Sequence, residues 1–265
     1  MKMNHPGFFK TPVYIVLASF ATLIFTSLCQ GDEPTKVDVR VISQGAKFIG
    51  SSMGGCMITI RDLETGELLA KGTTAGGTGD TELIMKAQNL THAPVSTEDS
   101  AVFSAALDID EPTHILVTAT GPRAQKQGEN LVSASQWIVP GKHVTGGDAF
   151  LLKLRGFIVD IKTPPTHVKI TETPVTIHLS ANVTMMCGCP IEPGGTWDAD
   201  KIELTARVKH DGKLLNTIPL KYAGETSQFA TDFEVSEKGL YEATVFAYDP
   251  VDGNTGIDKV TWLLK

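Results

Sequence analysis

Beyond residue 36 the chain carries short runs in which apolar and polar residues alternate, with Gly, Pro, Asn and Asp between one run and the next. The runs cover residues 37–43, 57–61, 115–119, 150–154, 168–170, 176–186, 202–209, 229–235, 240–248 and 259–264. A period of two sends successive side chains to opposite faces, so each run predicts a strand with one buried face. Many short strands punctuated by turns predict an all-β protein built of antiparallel sandwiches. One segment breaks the pattern. Residues 80–87 place Leu83, Ile84 and Ala87 on one helical face, which predicts about two turns of helix with Asp80 as the N-cap.

Pro164 and Pro165 divide the strand set. Proline fixes φ and lacks a backbone donor, so no central strand runs through such a pair. The expected organisation is therefore two tandem antiparallel β-sandwiches, residues 37–162 and 166–265, behind an N-terminal segment of residues 1–31. That segment has Lys2 and Lys10, then an apolar run over 13–28, then Cys29 and Gly31 as small residues. Charge, apolar run and small residues in this order are the grammar of a signal peptide. A retained membrane anchor is the alternative, since the run is at the short end for a span, and lipidation of Cys29 is a lesser one because Leu28 precedes it. Export implies a periplasmic or extracellular location.

Residues 56–74, CMITIRDLETGELLAKGTT, read as a strand, an Asp62/Thr65-Gly66 turn and a second strand. Cys56, Ile58 and Ile60 form the dry face and Met57, Thr59 and Arg61 the wet one. This stretch resembles the carboxypeptidase-regulatory, transthyretin-like sandwich family, which implies that fold for the first half. The last hairpin, residues 239–256 (GLYEATVFAYDPVDGNTG), resembles that of bacterial immunoglobulin-like domains. The resemblance implies an immunoglobulin-like sandwich for the second half, with Tyr241 at the position of a tyrosine corner. Neither resemblance implies an activity, because such sandwiches serve many roles.

Composition narrows the function classes. Of 265 residues 42% are hydrophobic and 20% charged, which excludes a disordered chain. The net charge is −7 with no basic cluster, and removal of residues 1–31 would take two of the 23 basic residues and none of the 30 acids. Phosphate neutralisation needs clustered Lys and Arg, so no nucleic acid is expected as partner. Contact with a membrane is expected only through the N-terminal segment.

One constellation carries chemistry: Met185-Met186-Cys187-Gly188-Cys189 at the end of the 176–186 run. Alternation puts Ile177, Leu179, Ala181, Val183, Met185 and Cys187 on the core face. It puts His178, Ser180, Asn182, Thr184 and Met186 on the outer one. Three readings stand side by side. The residues are ordinary core. Or Cys187 and Cys189 enter disulfides, one with Cys56 across the two halves, or with each other if Gly188 bends the chain, since i and i+2 Cα atoms in a strand are otherwise about 6.5–7 Å apart. Or Met185, Met186, Cys187 and Cys189 bind copper(I), which favours thiolates and thioethers, joined by Met53 and Met57 beside Cys56.

The seven His residues (5, 92, 114, 143, 167, 178 and 210) show no metal-ligand spacing. Residues 76–80, GGTGD, lack the Lys of a phosphate loop and read as a loop and cap. Asp249, Asp252 and Asn254 have calcium-binding chemistry but equally the chemistry of a turn. Asn89 and Asn182 stand in glycosylation sequons. No G-x-S-x-G elbow, P-loop or dinucleotide fingerprint occurs. The expected function is a non-catalytic binding or accessory protein of the cell envelope with a protein partner, and the alternative is a periplasmic copper(I)-binding protein.

Overall fold

The computed structural model describes residues 1–3, 33–87 and 93–265. Residues 4–32 of the N-terminal region, with His5 and Cys29, and His92 and the sequon at Asn89 fall outside them. Among the described residues of the first half, seven strands form two sheets. They are β1 (Thr35–Ser43), β2 (Met57–Asp62), β3 (Leu68–Thr73), β4 (Phe103–Leu107), β5 (Thr113–Gly121), β6 (Asn130–Ile138) and β7 (Phe150–Leu154). The order is β4-β1-β7 in one sheet and β3-β2-β5-β6 in the other, with β1 and β7 parallel. Cys56, Ile58 and Ile60 are buried and Arg61 is exposed, as the alternation requires. The β2–β3 turn is held by Asp62, whose carboxylate accepts the Glu64 and Thr65 amides at 2.7 and 2.8 Å. The Thr65 amide is the main reason that this carboxyl sits below its ordinary pKa. Helix α1 (Thr81–Ala87) starts on Asp80, which accepts the Leu83 amide at 2.7 Å.

The second half has nine strands: β8 (Phe157–Thr163), β9 (Val168–Ile170), β10 (Val175–Met185), β11 (Glu203–His210), β12 (Lys213–Pro219), β13 (Lys221–Tyr222), β14 (Gln228–Val235), β15 (Gly239–Tyr248) and β16 (Thr255–Leu264). Their order is β13-β14-β10-β8 against β12-β11-β15-β16-β9. Between the sheets lie Leu179, Val183, Val208, Val245 and Trp262, all buried. Tyr241 begins the penultimate strand, stacks on Trp262 with ring centroids 5.4 Å apart, and donates its hydroxyl to the Glu237 carbonyl at 2.7 Å. That backward hydrogen bond is the tyrosine corner.

The boundary differs from the expected one. Strand β8 precedes Pro164-Pro165, yet it pairs with β10 and belongs to the second sandwich. The prolines mark a change of sheet instead: the chain leaves β8 and re-enters as β9 on the opposite sheet, beside β16. A proline pair stops one ladder, and the chain beyond it can join another sheet of the same domain as readily as start a new domain. The halves divide at Arg155-Gly156, so the second begins at Phe157 rather than at 166. Both sandwiches belong to one compact unit. Strands β6, β8, β12 and β13 carry no clean alternation and were not expected, and neither was β4, which alternates in burial over only five residues.

Candidate functional site: a sulfur-rich turn at the joint

Strand β10 ends in a tight reversal. The Gly188 amide donates to the Met185 carbonyl at 2.8 Å, the Met185 amide donates to the Cys189 carbonyl at 3.1 Å, and Thr184 bridges Pro190. Gly188 takes φ +78°, open to glycine at little cost. The bend brings the Cys187 and Cys189 Cα atoms to 5.4 Å, and the two sulfurs are joined as a disulfide. Both cysteines are buried, with Met185, in the core of the second sandwich. Cys56 is a free thiol wholly inside the first sandwich. Burial, with the Glu129 carboxylate adding to it, pushes that thiol up to about 12. The structure thus pairs Cys187 with Cys189 and leaves Cys56 out, in place of a bond across the halves.

Met186 lies on the face of β10 opposite Met185 and Cys187, as the alternation expects, yet that face is covered here. It points away from the second core and is fully buried among the core residues of the first sandwich, beside Ile158. The reason is that the outer face of this strand end is the joint itself. In return Ala46 of the first half packs into the second core. Met53 also reaches the turn: a Cβ placed on Gly188 would lie 2.6 Å from its Sδ. Met57 sits on the half-buried outer face of β2, paired with Thr73 and Thr120 of its neighbouring strands.

The polar side of the joint is built by the last hairpin. Asn254, 2% exposed, accepts the Gly156 amide at 2.7 Å and donates to the Gly156 carbonyl at 2.9 Å, a two-bond clamp on the connection between halves. Asp252 accepts the Gln44 amide nitrogen at 2.7 Å with one oxygen and the Asn254 backbone with the other. Asp249 accepts the Val251 amide at 2.8 Å. Trp197 donates its indole N–H to the Gly45 carbonyl at 3.0 Å from the opposite side. The three residues with calcium-binding chemistry are engaged in turn and clamp. Asp198, next to Trp197, sits below its ordinary pKa chiefly because the Gly194 amide, then that of Asp200, donates to it. A cleft of about 170 Å³ opens here, lined by Met185, Trp197, Asp198, Asp249 and Asp252 among others.

The other candidates stay apart. His178 is exposed on the outer face of β10 and meets Asp232 at 2.7 Å. His114 stacks on Trp137, and His210 on Tyr241. Within residues 76–80, Gly76, Gly77 and Thr78 exchange backbone hydrogen bonds with Phe48, Ser51, Asp99 and Ala101. Asn182 lies mid-strand in β10. Among the described residues no group of three or more His, Cys, Asp and Glu is placed to hold a metal ion, and no helix is long and apolar enough to cross a membrane. Sequence reasoning missed Gln44, Gly156 and the clamp role of Asn254. The one signal was Gly156 itself, a lone glycine between two apolar runs.

These sheets define a pair of β-sandwiches in series, the second immunoglobulin-like by its strand order and tyrosine corner. No protein-family model matches the sequence, and no curated protein does. Among solved structures, the chain is similar to an engineered protein with 15% identity and a TM-score of 0.32, over 48% of this chain and 24% of that one. It is similar to fibronectin(III)-like modules of CbhA from Clostridium thermocellum with 10% identity and a TM-score of 0.28, over 86% and 90%. A chimeric titin Z1Z2 gives 12% identity and 0.24, over 88% and 96%. At such scores the fold assignment rests on strand order and the corner, not on these likenesses.

Proposed function

We propose that this chain is an exported, non-catalytic accessory or binding protein of the cell envelope, periplasmic or extracellular, whose two sandwiches act as one rigid body towards a protein partner. The observation that carries the reading is the employment of the candidate chemistry in the joint. Met185 and Met186 fill two different cores, the Cys187–Cys189 bond closes the turn between them, and Asp252 and Asn254 clamp the connection. Groups committed in this way hold a geometry, and a fixed pair of sandwiches presents loops and strand edges at a constant spacing. We read the first sandwich as transthyretin-like. The β2–β3 hairpin, with its Asp62-anchored turn, supports that resemblance.

A specific observation favours a second reading, copper(I) binding. Met53 lies against Gly188, the residue between Cys187 and Cys189, which brings a thioether of the first half beside the cysteine turn of the second, and copper(I) favours both donor types. One experiment on the full chain separates the two: fractionation, intact mass, metal content and thiol count. The accessory reading expects protein in the exported fraction lacking about its first 31 residues, one thiol titrating only after unfolding, and no copper. A chain confined to the cytoplasm with Met1 in place defeats the export reading. Stoichiometric copper, lost on Cys187→Ser with Cys189→Ser, establishes the second reading in its place.

A further inference from the structure

Among the described residues eight strands end the four sheets, and seven of them are poor templates for further pairing. Strands β4, β7, β9 and β13 have five residues or fewer. Strands β3, β8 and β12 carry Lys71, Lys162 and Lys213, and β12 ends in Pro219. Short length, lysine and proline are the ordinary defences of an edge against a second chain. Strand β6 has none of them. It runs nine residues, NLVSASQWI, without charge or proline, and its register with β5 is continuous from Asn130 to Ile138 with no bulge.

At its first residue Asn130 accepts the Leu131 amide at 2.8 Å and donates to the Arg155 carbonyl at 2.9 Å, and beyond it residues 133–137 stand exposed. Leu131, Ser133, Ser135 and Trp137 lie opposite Thr120, Thr118, Leu116 and His114 of β5, on the sheet face turned away from the core. Leu131 is 60% exposed and Trp137 56%, with the indole held in place by its stack on His114. Large exposed apolar groups on an open edge mark an interaction surface.

We propose that β6 pairs antiparallel with β6 of a second copy of this chain, extending the four-stranded sheet to eight strands across a two-fold axis. The strand is complementary to itself about Ala134. An axis there sets Leu131 opposite Trp137 twice over, Ser133 opposite Ser135 twice, and Ala134 opposite its own copy. Every outer-face residue meets an outer-face residue, and the two exposed apolar side chains cover each other as apolar–aromatic cross-strand pairs. The register needs no particular parity of the free amides, because an antiparallel pair centred on one residue closes in either hydrogen-bonding phase. Charge leaves this approach open. Two copies of a chain with net charge −7 repel, and this neutral strand is where they approach without like charges opposed. Glu129, at the strand's start, is neutralised by Lys126 at 2.9 Å, with Arg123 at 3.9 Å. Closed two-fold pairs of this kind are the commonest oligomers. The proposal stands apart from the envelope reading and survives its failure.

The test is sedimentation velocity on the purified full chain from low to high micromolar concentration, with hydrogen exchange at both ends of the range. The expected result is a reversible dimer, with amides of residues 130–138 slowing as it forms. Ser135→Lys places a charge on each copy beside the axis and weakens the dimer by about tenfold or more, and Trp137→Ala weakens it independently. Ser104→Lys, on the short edge β4, leaves it unchanged, and the thermal melt of each variant checks that it folds. A monomer at every concentration overturns the proposal. So does a dimer that neither β6 variant weakens, or one that Ser104→Lys weakens as much.

Discussion

Asn254→Ala tests the joint most directly. The Asn254 side chain is buried and makes two hydrogen bonds to a single residue, Gly156, whose amide and carbonyl stand between β7 and β8. Alanine removes both bonds and leaves two buried backbone groups without a partner. Each orphaned group costs about 1–3 kcal/mol. Gly156 also lines a shallow cleft with Gly128 and Phe157, so water can reach it in part once the amide is gone. The expected loss is therefore about 2–4 kcal/mol, below the full sum of the two penalties. Urea unfolding of the full chain gives the number, and tryptophan fluorescence alongside far-ultraviolet dichroism shows whether one transition becomes two. Asn254→Asp refines the test. An ionised Asp still accepts the Gly156 amide but sets a second carboxylate oxygen against the Gly156 carbonyl. At neutral pH it should cost about as much as Ala, and regain stability in acid, where the protonated carboxyl donates. A loss under about 0.5 kcal/mol for Asn254→Ala, the scatter of ordinary surface changes, would refute the clamp. So would an Asp variant as stable as the parent at pH 7.

Three further outcomes rest on the same geometry. Tyr241→Phe keeps the stack on Trp262 but loses the bond to the Glu237 carbonyl, and should cost about 1–2 kcal/mol by urea unfolding. Thiol titration should find none in the native protein, one after unfolding and three after reduction among residues 33–265, and Cys187→Ser with Cys189→Ser should cost about 1–2 kcal/mol, small because the closed loop is short. Burial holds the Cys56 thiol up at about 12 against 9.0, so the folded state keeps its proton where the unfolded chain has lost one. The contribution to stability is complete below about pH 9 and is lost as pH rises towards 12, by up to about 1.4 kcal/mol per pH unit. Cys56→Ala should lack that part of the alkaline slope, and an unchanged slope would count against it.

The strands that face solvent on one side were legible in the sequence. β7 and β9 lie where alternation places them, and β2, β10, β15 and the Asp80 cap do so within a residue or two. Each has a dry face and a wet one, and a period of two records that contrast directly. Strand β6 was not legible because eight of its nine residues are partly or fully exposed, so it shows no burial contrast to read. Strand β12 failed for the same reason, with Leu214 and Leu215 both exposed. The bond between Cys187 and Cys189 stayed one option among several, because it depends on the backbone of Gly188, and glycine is permissive rather than directive. Asn254 reads as a turn residue from its neighbours. Its second duty depends on Gly156, almost a hundred residues earlier in the chain.

The joint leaves a different trace, a local failure of alternation. On β10 the rule holds from Ile177 to Met185 and then breaks, since Met185 and Met186 are both buried on opposite faces. On β8 Phe157, Ile158 and Val159 are all buried, where a half-exposed strand would bury only two. The two breaks are neighbours in space, because Met185 pairs with Phe157 and Thr184 with Ile158. At this corner Met186 and Ile158 point out of the second sandwich and complete the first one's core. A strand that is wet on one face along its length but apolar on both faces at its end has another domain against that end. The same reasoning separates the two readings of the sulfur cluster. A metal site needs its donors turned towards one point, whereas Met185 and Met186 leave adjacent positions in opposite directions, each into a separate core. Copper binding through both would require one of them to abandon its core, so under that reading the joint must open when metal enters.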